Sequence, residues 1–229
     1  MEAILAPTLN TTNNVPLSSL AITKLDDLES ISQMSALHIA AQNNFLDICR
    51  LLLSNGANVN LPSGSGMTAL MYAAQHPDAL DLVTLLLQEY NASVRNVDKN
   101  GNGVIVAAIR GGNLRVCDLL IAKGADINSP NRQGIYPIMH AALASQLSIL
   151  EALARAGANV ESQDRDGNTA LHLACMTGNP KTVRVLVSSC SAQVGAVNAE
   201  GLTPVQVASS DAAAQAVLSK ADGHLGTSA

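Results

Sequence analysis

Large aromatic side chains are almost absent from this chain of 229 residues. It contains no tryptophan, three tyrosines and a single phenylalanine, Phe45, although 48% of its residues are hydrophobic. Aromatic residues normally supply much of the apolar surface of a globular core. A core of Ala, Leu, Val and Ile instead predicts thin layers of small side chains between closely packed helices.

Long hydrophobic runs and an excess of basic charge are also missing. No apolar run approaches the roughly 18 residues that a membrane span requires, and the N-terminus lacks the pattern of a signal peptide. The formal net charge of −5 argues against a nucleic-acid-binding surface, which must be basic. We therefore expect neither a membrane nor a nucleic acid as partner.

The four cysteines are not spaced as metal ligands. Cys49, Cys117, Cys175 and Cys190 form no C-x-x-C pair, and no H-x₃₋₅-H pair occurs. His172 and Cys175 share one predicted helix face, which we interpret as core. The cysteines are expected to be buried free thiols, so the sequence predicts a reducing compartment, the cytoplasm or the nucleus. It predicts no metal and no cofactor.

One short phrase recurs along the chain at nearly constant spacing. Its best copy is Thr169-Ala170-Leu171-His172-Leu173-Ala174, and the last of six copies is partial. The third residue of the phrase is aliphatic in every copy, with steps of 33, 35, 33, 33 and 34 residues between Leu37, Leu70, Ile105, Ile138, Leu171 and Val205.

A period near 33 around T-P-L-H-x-A resembles the ankyrin repeat, over about residues 28–222. The resemblance implies an all-α ankyrin-repeat solenoid of helix-turn-helix units with β-hairpin-like turns. It comprises five full repeats and a shortened C-terminal cap, with boundaries at 28–60, 61–95, 96–128, 129–161, 162–198 and 199–222. Residues 1–27 have a linker composition and are expected to be mobile, with a short capping helix at 22–30. Residues 223–229 form a tail.

Capping residues predict where the helices of each repeat begin and end. Thr169 stands where a helix N-cap belongs, and repeat three lacks this hydroxyl because it has Gly103. Glycine is the usual left-handed residue that ends a helix. The residues predicted to occupy this position at the end of the second helix are Gly56, Asn91, Gly124, Gly157 and Cys190. Two additional residues in repeat two are placed in its inter-helix loop, between Gln75 and Leu80.

The second helix of each repeat shows an apolar face at helical spacing. In repeats one and three, the residues predicted to point inward are Ile48, Leu51, Leu52, Val116, Leu119 and Leu120. The resemblance further implies that His38 and His172, at the motif histidine, bond to the backbone of a neighbouring turn. The glycine-rich turns 64–66 and 101–103 lack the Lys-Ser/Thr of a phosphate-binding loop, and no catalytic grouping is found. The sequence predicts no enzyme.

In ankyrin-repeat proteins the turn tips and first helices line a concave groove that binds partners. Carried over position by position, three successive turn tips place Lys99, Arg132 and Arg165 in a basic row, with Arg110 nearby. This row predicts an acidic or phosphorylated segment as ligand. An ordinary solvated face is the alternative, since Asp98, Asp164 and Asp166 dilute the charge.

A second feature of the predicted groove is apolar. Met67, Ile135, Leu143 and Met176 occupy positions that the family usually leaves exposed, and clustered exposed apolar residues indicate a binding patch. Isolated exposed apolar residues are common, so the alternative is no function at all. Together the two features predict a partner protein with an acidic or phosphorylated segment and an apolar anchor, bound by a monomer.

Two functional classes fit this pattern, and a third lacks a feature that it needs. The first is a non-catalytic interaction module: an adaptor, a scaffold or a regulatory subunit. The second is a groove-binding small-molecule or nucleotide sensor, for which only Tyr72 and Tyr136 could stack on a ligand. The third, a targeting subunit of a ubiquitin ligase, needs a C-terminal box, and the tail 223–229 is too short for one.

Two loop asparagines add a candidate modification site. Asn60 and Asn128 each follow a leucine by eight residues. This pattern resembles the target of the asparaginyl hydroxylase that modifies ankyrin repeats in animals. The alternative is that each asparagine bonds to the neighbouring turn.

Overall fold

The computed structural model describes residues 33–221, which form eleven helices and no strand longer than an isolated bridge. The helices are α1 (Ala36–Gln42), α2 (Leu46–Ser54), α3 (Ala69–Ala74), α4 (Leu80–Gln88), α5 (Val104–Gly111), α6 (Leu114–Ala122), α7 (Pro137–Leu143), α8 (Leu147–Arg155), α9 (Ala170–Met176), α10 (Pro180–Ser188) and α11 (Asp211–Ala221). The predicted mobile segment 1–27, the whole of the predicted capping helix at 22–30 and the tail 223–229 lie outside the described residues.

The first ten helices form five pairs that stack in two layers. First helices pack on first helices, from α1 through α3, α5 and α7 to α9, and second helices do the same from α2 to α10. Helix α11 packs on α10 and stands as the second helix of the last unit, while residues 204–207 form turns. The prediction of an all-α repeat solenoid is confirmed.

A buried histidine fixes the start of the first helix in repeats one and five. In repeat five the backbone N–H of Thr169 donates to His172 Nδ1 at 3.2 Å, and Thr169 Oγ1 lies 2.9 Å from the same nitrogen. Nε2 of His172 lies 3.0 Å from the carbonyl oxygen of Leu202 and therefore carries the proton. His38 makes the same contacts with Ser35 and with the carbonyl of Leu61. Both histidines join their helix to a following loop, as expected.

Hairpin-like turns project between repeats and stack on one another. Each has a left-handed residue at its tip: Gln33, Gly66, Gly101, Gly134, Gly167 and Gly201. The turns are linked by backbone hydrogen bonds, such as Lys99 N–H to Ser65 O at 2.9 Å and Arg132 N–H to Asn100 O at 2.8 Å. A Cβ at Gly167 would lie 2.6 Å from the backbone nitrogen of Ala199. Glycine is required there both by its φ of +76° and by this close approach.

The left-handed residue that ends the second helix was assigned wrongly in repeat five. Asn91 has a φ of 52°, as predicted, but in repeat five the residue with positive φ is Ser191, at 58°. Cys190 is buried, with its sulfur 4.0 Å from the carbonyl oxygen of Leu150. The alanine after the left-handed residue fixes the register, because Ala192 aligns with Ala57 of repeat one.

Repeats two and five carry one more residue at the end of the second helix than the other repeats. The N–H of Ala57 bonds to the carbonyl five residues back, at Leu52, whereas that of Ala92 reaches six residues back, to Leu86. Ala192 likewise bonds to Leu186. Of the two additional residues in repeat two, one therefore lies in the predicted inter-helix loop. Placing the other one there was wrong, because it extends this helix end.

The apolar face predicted for the second helix is correct in repeat three but wrong for two residues of repeat one. Val116 and Leu120 are fully buried, whereas Ile48 and Leu51 are 48% and 62% exposed. The buried apolar residues of α2 are Cys49 and Leu53. Helix α6, which carries Val116, packs on α4 of the preceding repeat, whereas α2 has no preceding repeat within the described part of the chain.

Side chains in the loops after the second helices connect successive repeats. Asn60 Oδ1 accepts the N–H of Ser93 at 2.8 Å, and Asn128 Oδ1 accepts that of Asn159 at 2.8 Å. A glutamate makes the same connection between repeats four and five. The two asparagines therefore hold neighbouring loops together, which is the structural alternative to modification.

Repeat two breaks this series, because its equivalent residue is Arg95. A guanidinium has no acceptor for the backbone N–H of Asp126 in the next loop. A cavity of about 540 Å³ opens at this place, lined in part by Val94, Arg95, Gly103 and Asp126. The loops of repeats two and three therefore lack the side-chain hydrogen bond that joins the loops of the neighbouring repeats.

Replacing Arg95 with asparagine should restore the missing connection. We expect the free energy of unfolding to rise by about 1 kcal/mol, the usual gain from one hydrogen bond. Urea denaturation followed by circular dichroism measures the change. Arg95→Leu removes the charge without adding an acceptor and is the control. Equal stability of the two variants would show that the hydrogen bond is not the cause.

Candidate groove site

The basic row lies on three consecutive turn tips at one register position. Lys99, Arg132 and Arg165 each stand four residues before the N-cap of a first helix and are exposed. The stem of Arg165 lies against Gly134 of the preceding turn, where a Cβ would be 2.9 Å from its Cγ. The guanidinium of Arg165 also donates to the carbonyl oxygen of Arg132. The stacked turns thus hold the row in place.

Two of the three acidic residues near the row are engaged by their own turns. Asp98 Oδ1 accepts the N–H groups of Asn100 and Asn102, both at 2.8 Å, and Asp98 is 8% exposed. Asp164 Oδ1 likewise accepts two backbone N–H groups of its own turn. Asp166 remains exposed. Between residues 33 and 221 the ion pair present joins Arg50 to Glu89, so Lys99, Arg132 and Arg165 have no carboxylate partner in this region.

Arg110, Leu143 and Met176 also share one register position, seven residues after the N-caps of α5, α7 and α9. These helices pack side by side, so the three side chains form a second row across three repeats. Leu143 is 44% and Met176 39% exposed, and Arg110 is exposed. The structure therefore places one cation and two exposed apolar side chains on consecutive first helices.

Met67 and Ile135 occupy a different register position from Leu143 and Met176. Both stand one residue before an N-cap, are partly buried and pack against the core. Met67 Sδ lies 4.0 Å from Gln75 Nε2. These two side chains therefore line the base of the turns and present less apolar surface than Leu143 and Met176.

His140 on α7 is a groove residue that the sequence analysis did not identify. Its Nε2 lies 3.5 Å from Asn131 Nδ2. Burial and the positive charge of Arg110 lower the pKa of His140 to about 4, against an opposing effect of Asp98. His140 is therefore neutral at pH 7 and adds no charge to the row. His140 stands four residues after its N-cap, as Tyr72 does in repeat two. This shared position was the sequence signal by which His140 could have been identified.

Acidification should destabilise the protein partly through His140. Its folded pKa lies below the ordinary 6.5, so the unfolded state binds the proton first, and stability falls as pH drops from 6.5 to 4. The lowered pKa corresponds to a loss of at most about 3 kcal/mol in the free energy of unfolding. Because His140 is partly solvated, we reduce this expected loss to about 1 kcal/mol. We expect His140→Gln to lose less stability than the unmodified chain between pH 7 and 4 in urea titrations. Identical losses would contradict this assignment.

Of the two tyrosines considered for ligand stacking, Tyr72 has its ring buried and Tyr136 has it partly buried. Tyr72 is 8% exposed, its hydroxyl lies 3.1 Å from Ser63 Oγ, and its ring packs at 5.5 Å from the ring of His38. Tyr136 is the N-cap of α7 and is partly buried. The geometry offers no observation that favours a nucleotide sensor.

All four cysteines are buried and free, as predicted. Burial raises the pKa of Cys49, Cys175 and Cys190 to about 11 and that of Cys117 to about 12; nearby Glu151 and Asp118 add to the effect at Cys190 and Cys117. The thiols are therefore protonated at neutral pH.

Residues 33–221 contain no group of three His, Cys, Asp or Glu side chains that could hold a metal ion. No helix in this range has both the length and the apolarity needed to cross a bilayer.

Comparison with known proteins agrees with the repeat geometry. A family model for ankyrin repeats, in three copies, matches residues 12–98, 78–164 and 138–225. The mouse B-cell lymphoma 3 protein homolog is 31% identical over 187 residues, which is 80% of this chain and 42% of that protein. The chicken nuclear factor NF-kappa-B p105 subunit is 32% identical over 174 residues, 75% of this chain and 14% of its own length.

Human transient receptor potential cation channel subfamily A member 1 is 30% identical over 122 residues, 51% of this chain and 11% of the channel. The chain thus spans less than half the length of each of these three relatives. What they share with it is the repeat array.

Proposed function

Since the chain belongs to the ankyrin-repeat family, we propose that it is a non-catalytic protein–protein interaction module that binds a partner protein in its groove. Proteins of this family generally mediate such interactions through the stacked repeats. Whether the module serves as adaptor, scaffold or regulatory subunit depends on the partner.

The observation that carries this proposal is the alignment of two side-chain rows across repeats three to five. Lys99, Arg132 and Arg165 offer cations without carboxylate partners in the described region, and Leu143 and Met176 offer exposed apolar surface beside Arg110. Charged and apolar rows at one repeat spacing suit an extended acidic or phosphorylated segment with one apolar anchor.

The same features support the remaining parts of the proposal. A net charge of −5 disfavours nucleic acid as ligand. Four buried, unpaired thiols suit a reducing compartment, so we place the protein in the cytoplasm or nucleus. The proposed binding unit is a monomer and uses no membrane.

The apolar row is tested by replacing Leu143 and Met176 with serine. Partners captured on the full chain are identified by cross-linking and mass spectrometry, and the affinity of one purified partner is then measured by calorimetry. We expect binding to weaken by about 1–3 kcal/mol in total, because two apolar anchors for the partner are lost. The control changes Val197 and Leu218, which are 51% and 43% exposed elsewhere, to serine. Equal affinity of both double variants, with unchanged melting, would exclude the row.

The basic row is tested with the same partner by changing Lys99, Arg132 and Arg165 to glutamine. Binding should weaken and lose most of its dependence on salt, because exposed charge pairs are screened. The control variant has the same net charge as the basic-row variant. It replaces Lys123, Arg155 and Lys181, which are exposed on other surfaces, with glutamine. Salt dependence that persists in the basic-row variant would show that the partner's charges lie elsewhere.

A further inference from the structure

Helix α2 exposes three large apolar side chains at the first end of the described array. Phe45, Ile48 and Leu51 are 51%, 48% and 62% exposed. They lie three residues apart, at the N-cap of α2 and at two positions on one face of the helix. We call these three residues the end face.

The end face corresponds to surfaces that are buried in the repeats that follow. The equivalent residues of repeat two are Ala79, Leu82 and Leu85, which are 0%, 1% and 3% exposed, and α4 packs against α2 of the preceding repeat. In repeat four the equivalents Ile149 and Ala152 are 1% and 4% exposed. The end face therefore corresponds to a repeat-to-repeat interface that has no preceding partner among residues 33–221.

We propose that residues 12–32 of this chain cover the end face. The 32 residues before the described part nearly equal one repeat of 33, and they join the array at this end, two residues from the N-cap of α1. The match to the ankyrin family model also begins at residue 12, well before the first described helix.

The sequence of this segment has the pattern that such a cover needs. In the sequence, Ile22, Leu25, Leu28 and Ile31 recur at intervals of three, a spacing that a helix would bring to one side. In such a helix, Asp26 and Asp27 would fall on other sides. Such an interface would bury apolar surface of both the segment and the end face. This burial would stabilise the terminal repeat and remove an exposed apolar patch.

The absence of tryptophan permits a direct test in the full chain. Phe45→Trp places a single indole on the end face, at a position with room for it. If residues 12–32 cover the face, emission is blue-shifted at all protein concentrations. Adding Leu25→Ser and Leu28→Ser shifts it to the red and lowers the melting temperature by several degrees. Asp26→Ser with Asp27→Ser is the matched control and leaves emission unchanged.

A second probe covers the case in which Phe45→Trp disturbs folding. Leu51→Cys adds one exposed thiol to a chain whose own four thiols are buried. It should react slowly with Ellman's reagent in the full chain and at least tenfold faster after Leu25→Ser and Leu28→Ser.

Two results would overturn the proposal. Red-shifted emission, or fast labelling, before residues 25 and 28 are changed would show that the face is uncovered. Blue-shifted emission that depends on protein concentration and survives Leu25→Ser and Leu28→Ser would show that a second copy of the chain covers it.

Discussion

Replacing Gly111 with serine should lower the free energy of unfolding by about 2 kcal/mol, as overpacking of a tight contact does. Gly111 is the last residue of α5. A Cβ there would lie 2.7 Å from the carbonyl oxygens of both Ala74 and Gln75 at the end of α3. These atoms belong to backbone and cannot move aside as a flexible side chain could. In an ordinary helix the same change would stabilise by about 0.5 kcal/mol.

The need for glycine at this position follows from the longer loop of repeat two. The equivalent positions of repeats four and five hold Ala144 and Thr177, where the preceding inter-helix loop has the usual length. In repeat two the N-caps Thr68 and Ala79 are eleven residues apart, compared with ten for Thr169 and Asn179. We attribute the close approach to this additional residue.

Gly103→Ser in the same repeat is the matched control, with the opposite expected sign. A Cβ at Gly103 meets nothing within 4 Å, and its φ of −76° suits any residue. Serine would cap α5 and reduce the freedom of the unfolded chain, a gain of about 0.5–1 kcal/mol. Urea denaturation of both variants gives the comparison. If both glycines tolerate serine equally well, the close contact at α3 does not limit the fold.

The architecture could be predicted because a repeat displays its register several times. Cap residues, turn glycines and the interval of 33 reinforce one another, so the helix pairs followed from the sequence. The end of the second helix in repeat five did not, because this helix end is one residue longer than in repeats one, three and four. The left-handed residue is fixed by the alanine after it, whose N–H closes the helix end, and that alanine is Ala192.

The shared register of the basic side chains was predictable to the same extent, and for the same reason. Lys99, Arg132 and Arg165 share a register position, and that position can be read from the interval alone. Burial is different, because it depends on neighbouring repeats. Ile48 has the same helical pattern as Val116 and is exposed only because nothing described precedes it, while His140 owes its lowered pKa to surroundings that include Arg110 on another repeat.

Among single substitutions that fit the existing packing, we expect His172→Met to lower the free energy of unfolding most. The chain already fits methionine at the equivalent positions Met71 and Met139, which are 2% and 0% exposed, so the change creates little strain. It replaces the acceptor for Thr169, at a buried site, with a thioether sulfur, which is a weak acceptor. It also removes the donor for the partly buried carbonyl of Leu202. Leaving such groups unpaired costs about 1–3 kcal/mol. We therefore expect a loss of about 2–3 kcal/mol on urea denaturation.

Repeat two offers the reverse experiment, which separates hydrogen bonding from packing. Thr68 Oγ1 is buried and has no hydrogen-bond partner within the described part of the chain, because Met71 stands where repeats one and five have histidine. Met71→His would supply an acceptor to this hydroxyl, and we expect a gain of up to about 1 kcal/mol. If His172→Met and Met71→His both destabilise the protein equally, packing rather than hydrogen bonding decides the residue at this position. Opposite signs would show that repeats one and five are stabilised by the pair formed between the N-cap hydroxyl and the motif histidine.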